Sequence, residues 1–387
     1  MTFALLLCMM EKRFRHAGLT KPVIKNLAYI TTAYFVLSRG GRSGNGKLSL
    51  SALSRALCTS GTQKSKFKRL SRFLKNPRFT PEVMIPYLIA FVLGRPKAPL
   101  TPVVVDQTSI GGIPVLMAGL LFSGRVLPIG FTCFLYETFY KSQNTLEAGF
   151  LTLLKAAFPR STHPVFILDR GYGRLQMLQT FHRMRALYIV RAKRNVMVWV
   201  NNKPLALGRL PHTVGKPRRY RRVLYRKDKK EVVDIVVYAE AGFKEVWYLL
   251  VPPSSHGVLP THEVVKLYRE RMQIEQGFRD FKTHLGVRGL KLQVTPDVRL
   301  CRLLLSLCVA YSVLLLLGAS PYASSVRHRV ETPRGKPRHG TVKTLSVLTL
   351  GMVLWSLADM YPHIIKQLKK ILLALRRTSV LSLAASF

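Results

Sequence analysis

Hydrophobic and polar positions repeat with different periods along the chain, and the period changes near residue 100. Before that point, apolar residues recur at helical spacing, and we predict that this part is helical. After it, short apolar runs such as 165–168 are typical of buried strands, and they alternate with segments of helical period. The middle region is therefore predicted to be an α/β unit in which strands at 103–106, 112–122 and 125–136 form an antiparallel meander.

The same reading continues through a helix, a second group of strands and a final helical block. Residues 144–158 are predicted to be helical, with Asn144 as the N-cap and Glu147 three residues on. Residues 193–251 are rich in β-branched and aromatic residues and are predicted to form further strands. A second helical block follows, interrupted at 320–341, where Pro, Gly and Arg predict a loop.

Composition indicates the kind of partner. The chain has 61 Lys and Arg but only 18 Asp and Glu, which gives a formal net charge of +43. Such a chain is attracted to polyanions, and nucleic acid is the obvious one because phosphate neutralisation releases counterions. An anionic membrane surface is the competing partner. However, residues 303–319 are apolar only at the short limit for a span, and we predict a buried core helix there. Residues 1–10 lack the flanking features of a signal or an anchor, so no membrane association is expected.

Positive charge is concentrated in two segments. Residues 64–75 are predicted to form a helix with Phe67, Leu70 and Leu74 on one face and the basic residues mostly off it. No acid occurs within this run, so intrahelical salt bridges do not account for the charge, and DNA contact is favoured over a merely solvated helix. The candidate DNA-binding residues of this helix are Lys64, Lys68, Arg69, Arg72 and Lys75. The second segment, 218–230, contributes Arg218, Arg219, Arg221 and Arg222.

Acidic residues are scarce, and two of them follow the two most hydrophobic strands of the middle region. Asp106 comes directly after 103–105, and Asp169 comes directly after 165–168. Either residue alone would more often be a turn former or a helix cap. If the two strands are neighbours, however, the carboxylates lie close together and repel each other unless a cation stands between them. Hard oxygen ligands of this kind suit Mg²⁺ or Mn²⁺.

A third acid is supplied by a helix predicted at 263–285. At about 100° per residue, Tyr268, Arg271, Glu275 and Lys282 fall within a sector of roughly 60°, beside an apolar stripe. The stripe consists of Leu267, Ile274, Phe278, Phe281 and Leu285. The helix is therefore predicted to pack its apolar side on the core and to turn a narrow polar strip toward a site. The alternative is an exposed helix in which Glu275 pairs with basic residues one turn away.

The spacing Tyr268-x2-Arg271-x3-Glu275-x6-Lys282 resembles the Y-R-E-K signature of DDE transposases in the insertion-sequence-four family. The contexts of the two strand-end Asp residues are similar to the first-Asp strand and the second-Asp turn of that family. The resemblance covers roughly residues 45–320.

Two positions depart from the family pattern. Met272 and Gln276 stand where members of the family often have Trp and a second acid. Neither position is a metal ligand, so the departures concern the grip on the DNA end and leave catalysis untouched.

The resemblance implies an α/β fold with a ribonuclease-H-like catalytic core. The interval between Asp169 and Glu275 is too long for a single connection, and the strand-rich residues within it match the β-rich insertion of similar transposases. The implied organisation is a helical DNA-binding domain for end recognition at 1–98, the two parts of the core at 99–192 and 252–320, the insertion at 193–251, and a basic loop with C-terminal helices at 321–387.

The resemblance also implies a function. The expected catalytic and metal-binding residues are Asp106, Asp169 and Glu275, and the expected DNA contacts near the cut are Tyr268, Arg271 and Lys282. Two Mg²⁺ ions, for which Mn²⁺ can substitute, are expected to support strand cleavage and strand transfer in cut-and-paste DNA transposition. The expected partners are double-stranded DNA, as terminal inverted repeats and as target, and a second copy of the chain. The expected location is the bacterial cytoplasm, in association with the nucleoid.

One aromatic residue has two interpretations. In similar hairpin-forming transposases a Trp of the insertion stacks on a flipped base, an interaction worth about 1–3 kcal/mol per base. Trp247 occupies a predicted strand of the insertion. It is either such a stacking residue or a core aromatic of the sheet.

Two other functions remain open at this point. A metal-dependent nuclease of the same fold would cleave DNA without joining it, and short inverted repeats flanking the gene would argue against it. A non-enzymatic basic protein, which coats DNA or lies on a membrane surface, would give no reason for three acids at these strand and helix positions.

Overall fold

The computed structural model describes residues 2–15, 18–39, 48–94, 100–135, 142–226, 231–243, 245–253, 255–290, 292, 296–337 and 342–387. The chain begins with helices and no strand among the residues described before position 100. These helices are α1 (Thr2–Phe14), α2 (Lys21–Arg39), α3 (Leu50–Arg55), α4 (Gln63–Leu74) and α5 (Pro81–Val92). Thr62 caps α4 by accepting a hydrogen bond from the Ser65 amide, and Leu70, Phe73 and Leu74 form its buried face. Phe67, which was predicted on that face, is instead 38% exposed.

The first five strands of the sheet follow. Its elements are β1 (Leu100–Ile110), β2 (Ile113–Phe122), β3 (Arg125–Cys133), α6 (Gln143–Ala157), β4 (His163–Leu168), α7 (Leu175–Arg183) and β5 (Leu187–Arg191). Strands β1 to β3 form the predicted antiparallel meander, whereas β4 runs parallel to β1 and β5 runs parallel to β4. The order β3-β2-β1-β4-β5, with helices between the parallel strands, is that of a ribonuclease-H-like core.

The strand-rich segment extends the same sheet. Its strands are β6 (Met197–Val200), β7 (Lys203–Ala206), β8 (Arg218–Tyr225), β9 (Glu231–Tyr238) and β10 (Trp247–Val251). Strand β10 pairs antiparallel with β5, so that Leu250 lies opposite Val190. Among the described residues the whole sheet therefore has ten strands in the order β3-β2-β1-β4-β5-β10-β9-β8-β6-β7.

The remaining elements are helical. They are α8 (Thr261–Glu270), α9 (Gln273–Arg279), a π-helical turn (Asp280–His284), α10 (Pro296–Ala319), α11 (Pro321–Val330), α12 (Val347–Ser356), α13 (Pro362–Leu375) and α14 (Val380–Ala384). Within the described residues α10 alone is long and apolar enough to cross a membrane, and 94% of its most apolar window is buried inside the protein. The prediction of a buried core helix at 303–319 is confirmed.

Helix α10 is enclosed by helices from both ends of the chain. It contacts α2, α12, α13 and strand β3. The indole of Trp355 on α12 donates to the carbonyl of Phe35 on α2 at 2.7 Å, and Arg13 on α1 donates to the carbonyl of Leu375 on α13 at 2.7 Å. The domain boundaries predicted at 98 and 321 remain a prediction, but helices on either side of them share one hydrophobic core.

Helices α10 and α12 cross at two glycines. A Cβ at Gly318 would overlap the carbonyl oxygen of Val347, and a Cβ at Gly351 would overlap that of Leu314. The two backbones are therefore in direct contact, which only residues without a side chain allow.

Two predictions about helix bounds and caps are also wrong. Residues 321–330 form α11 rather than a loop, because Ser320 caps the helix through the Ala323 amide and Pro321 suits the first helical position. Residues 338–341 of that predicted loop lie outside the described residues. Helix α6 is capped by Ser142 rather than by Asn144.

Candidate active site

Strand register brings Asp106 and Asp169 to the same level of the sheet. The parallel pairing of β1 with β4 ends at Val104 opposite Ile167, and two further steps along each strand reach the two aspartates. Asp169 follows the last residue of β4, as predicted. Asp106 does not end its strand, however, because β2 continues to pair with β1 and places Met117 opposite Asp106.

The residues of the signature lie on two helices that meet at a break. The sequence predicted one helix at 263–285, but α8 ends at Glu270, α9 begins at Gln273, and Arg271 occupies the junction. Gly277 lets α9 lie close to the sheet, since a Cβ there would stand 3.3 Å from the terminal methyl of Met117. This arrangement places the junction over β1, next to Asp106.

Three side-chain contacts connect the signature to the two strands, and a fourth lies within the signature. The Arg271 guanidinium donates to a carboxylate oxygen of Asp106 at 2.9 Å and lies 3.7 Å from a carboxylate oxygen of Glu275. The Tyr268 hydroxyl lies 3.4 Å from a carboxylate oxygen of Asp169. The Lys282 ammonium donates to Thr108, two residues after Asp106, at 2.5 Å. The structure therefore brings together all three predicted carboxylates and all three signature residues that were predicted to contact DNA.

The carboxylates influence one another electrostatically. Burial raises the pKa of Asp106, the Gln107 amide and Arg271 lower it, and the charges of Asp169 and Glu275 raise it again. Burial alone would lower the pKa of Arg271, but Tyr268 and the three carboxylates raise it above its ordinary value. Arg271 is therefore the cation that offsets the mutual repulsion of the acids.

The donor set matches a hard divalent cation. Within the described residues, no three acidic, His or Cys side chains stand as a ready-made metal-binding group, and the guanidinium of Arg271 lies among the carboxylates. Nevertheless, three carboxylates that repel one another around a single positive charge are the ligand type that Mg²⁺ and Mn²⁺ take. Asp106, Asp169 and Glu275 fit such an ion by chemistry.

A π-helical turn sets the position of Lys282. Asp280 in this turn is fully buried, lies 2.9 Å from the Arg125 guanidinium on β3, and accepts a hydrogen bond from Tyr311 on α10 at 2.9 Å. Burial raises the pKa of Asp280, while Arg125 and Tyr311 lower it. The turn is thereby attached to the sheet on one side and to the core helix on the other, and π-helical turns of this kind often occur at functional sites.

Trp247 lies beside the signature. Its ring packs edge-on against Tyr268 with centroids 5.1 Å apart, and against Phe243 with centroids 6.0 Å apart. Burial raises the pKa of Tyr268 to about 12, so its hydroxyl stays protonated. Phe243 is 55% exposed. Both interpretations of Trp247 remain open, because the ring is partly buried and stands at the edge of the site.

The basic candidates differ in their availability. All five candidates on α4 and at its C-cap are exposed, and Arg69 also donates to Asn26 at 3.3 Å. In the second segment, Arg218, Arg221 and Arg222 are exposed. The guanidinium of Arg219 is buried instead, because it donates to Asp234 at 2.9 Å and to Ser255 at 2.8 Å. Residues 227–230 of this segment lie outside the described residues.

The sequence analysis missed a polar network behind the two aspartates. Gln143 on α6 donates to Gln107, the neighbour of Asp106, at 2.9 Å and to Glu147 at 2.8 Å. Glu147 is 1% exposed and pairs with Arg174, which follows the turn that carries Asp169. Glu147 was interpreted as a capping residue, and nothing in the spacing of Arg174 indicated its partner.

Part of the sequence matches a known protein family. Residues 137–312 match the family described as the transposase DDE domain. This range contains Asp169 and Glu275, and Asp106 precedes it. A comparison with curated proteins finds no match. The family match supports a DDE transposase, and thus an enzyme of the nuclease and transposase class.

Proposed function

We propose that this chain is a DNA transposase that cleaves the ends of an insertion sequence and joins them to target DNA. The observation that carries the proposal is the convergence of Asp106, Asp169 and Glu275 around Arg271, on a ribonuclease-H-like sheet whose sequence matches the transposase DDE domain. The Y-R-E-K spacing supports a relationship with the insertion-sequence-four family.

The chemistry assigned to the site is hydrolysis of a phosphodiester and attack by the freed 3′-hydroxyl. Divalent cations, when bound, supply an activated nucleophile and charge relief at the leaving oxygen. Asp106, Asp169 and Glu275 would hold them. Tyr268 keeps its proton and fixes the orientation of Asp169. Arg271 offsets the carboxylate charge. Lys282 contacts Thr108, two residues after Asp106, and from there its ammonium can bind a phosphate.

The proposed partners follow from charge and exposure. The family match implies a DNA substrate, and the exposed cations of α4 are suited to its backbone. We assign recognition of the terminal inverted repeats to this helix. Since two ends have to be joined together, we assign the active complex to a homodimer in the bacterial cytoplasm, at the nucleoid.

Replacement of the acids tests the catalytic assignment. Asp106→Ala, Asp169→Ala and Glu275→Ala should each lower Mg²⁺-dependent cleavage at least about 100-fold, since loss even of a residue that only supports a metal ligand costs 10–100-fold. Duplex binding should persist in all three variants. Glu263→Gln is the matched control, because Glu263 pairs with Lys266 on the surface of α8 and takes no part in the site. Wild-type cleavage rates in the three variants would refute the assignment, and cleavage without strand transfer in the wild type would favour the nuclease.

A further inference from the structure

A basic cleft of about 390 Å³ opens beside the candidate active site, between β5, the following loop and the start of β10. The sequence analysis assigned no function to it. Its basic and acidic lining residues are Arg170, Arg191, Lys193, Arg194, His212 and Glu245. Arg170, Lys193 and Arg194 are exposed, so their charges are accessible to a ligand, and the His212 ring is exposed beside them.

Glu245 is the single acid among the described residues that line the cleft. Its carboxylate accepts a hydrogen bond from Arg191 and lies 3.7 Å from the guanidinium of Arg170. The side chain of Glu245 is itself 59% exposed. A carboxylate held by two arginines at the mouth of a basic cleft occupies the position that a phosphate group would take.

The cleft adjoins the catalytic centre through two residues. Arg170 directly follows Asp169 in the chain. Arg191 lies next to Tyr268, whose pKa it lowers against the larger effect of burial, and Tyr268 contacts Asp169. An anion in the cleft is therefore near the phosphodiester that the carboxylates would cleave.

We propose that this cleft binds a backbone phosphate of the DNA strand next to the cleaved bond, and that Glu245 is an anionic lock that this phosphate displaces. The proposal depends on the proposed function, because it takes the strand at Asp169 to be DNA. Glu245 holds Arg170 and Arg191 in place while no DNA is bound and lowers affinity for polyanions. A DNA strand enters the cleft only when its phosphate binds the two arginines more strongly than the Glu245 carboxylate does.

Removal of the lock should strengthen DNA binding. We expect Glu245→Gln to bind a short random-sequence duplex about fivefold more tightly than wild type in low salt, the factor that one unit charge exerts at close range in water. Lys193→Gln and Arg194→Gln should each weaken binding and reduce the slope of log affinity against log salt by about one. Fluorescence anisotropy of the full chain in EDTA measures all of these.

Matched variants separate the lock from a general effect of charge. Glu263→Gln removes the same charge from a surface ion pair on α8, and screening should keep its effect below about twofold. Addition of Lys193→Gln and Arg194→Gln should abolish most of the gain from Glu245→Gln. The thermal transition of each variant shows whether it is folded, and Glu245→Ala serves if the amide variant is not.

Three outcomes would overturn the proposal. Equal affinities of Glu245→Gln and Glu263→Gln would mean that the carboxylate has no local effect. Competition by inorganic phosphate as effective as that by duplex would assign the cleft to a small anion. If either of these two results is obtained while wild type still binds and cleaves DNA, only the cleft assignment fails. A wild type that neither binds nor cleaves duplex DNA would overturn the proposed function together with the cleft.

Discussion

At the scale of single residues, the charge balance of the candidate site depends on Arg271. It is 7% exposed, donates to Asp106 and lies within reach of Glu275. A buried guanidinium among carboxylates stabilises them as an ion pair, and it also occupies space that a metal ion needs. Sequence alone led to the expectation that Arg271 contacts DNA near the cut and takes no part in metal binding. The contact with Asp106 leads to a different expectation.

Neutralisation of Arg271 should strengthen metal binding by the DNA-free protein. In Arg271→Gln the competing cation is gone, and we expect Mn²⁺ affinity, measured by electron paramagnetic resonance, to rise about tenfold. Cleavage should fall in the same variant, because the proposed contact of the Arg271 guanidinium with a DNA phosphate is lost. Lys282→Gln is the matched control, since it removes one charge that contacts Thr108 and not the carboxylates. Equal Mn²⁺ affinity in the two variants would show that Arg271 does not compete with metal.

The positions of the candidate residues were more predictable from sequence than their contacts were. Asp106, Asp169 and Glu275 could be selected as candidates because acids are scarce and because strand and helix periods place them. The ion pair between Arg271 and Asp106 joins residues 165 positions apart, and no local pattern encodes it. The pairing of Glu147 with Arg174 was missed for the same reason, since a Glu near a helix start fits a capping residue equally well.

At the scale of elements, backbone packing determines where helices break and cross, which the pattern of side chains does not predict. The strands were predictable because β-branched runs and tight turns are local signals, and β1 to β5 lie where these signals indicated. The helix at 263–285 was predicted as continuous because its period is unbroken, whereas the break at Arg271 follows from packing on the sheet. Likewise, the crossing of α10 and α12 depends on Gly318 and Gly351, whose tertiary role cannot be seen in the sequence.

The close crossing at the two glycines predicts that Gly→Ala substitutions at two positions change stability in opposite directions. Gly351→Ala places a methyl group against the Leu314 carbonyl and forces the helices apart, so we expect a loss of about 1–3 kcal/mol in the free energy of unfolding. Gly149→Ala in α6 meets no atom within 4 Å and should stabilise the protein by about 0.5–1 kcal/mol through helix propensity. Urea denaturation measures both. A stabilising Gly351→Ala would contradict the close crossing.

At the scale of the whole molecule, the two ends of the chain share one helical layer. Phe35 on α2 packs against Trp355 on α12 with ring centroids 5.6 Å apart, and α1 contacts α13. The sequence predicted the N-terminal 98 residues as an end-recognition domain, since their composition is basic and helical throughout. Composition does not encode long-range packing of this kind, so the sequence could not indicate which helices cover the N-terminal residues.

This packing predicts that residues 1–98 are not stable alone. Without α10, α12 and α13, the apolar faces of α1 and α2 are exposed to water, and burial of their large side chains no longer offsets chain entropy. We expect the isolated fragment to unfold without a cooperative thermal transition in circular dichroism. Addition of a fragment spanning 296–387 should restore one. A sharp transition of the N-terminal fragment by itself would show that it is an autonomous domain.

The enclosure of α10 also fixes when folding can be completed during synthesis. Arg13 and Leu375 share a hydrogen bond across 362 positions of sequence. A ribosome adds about 5–20 residues per second, so roughly 20 to 70 seconds separate the appearance of these two partners. During that time α1 and α2 have left the ribosome while the helices that cover them have not been made. The N-terminal helices of the layer are therefore synthesised long before the helices that bury them. They are the part of each new chain most exposed to aggregation during translation.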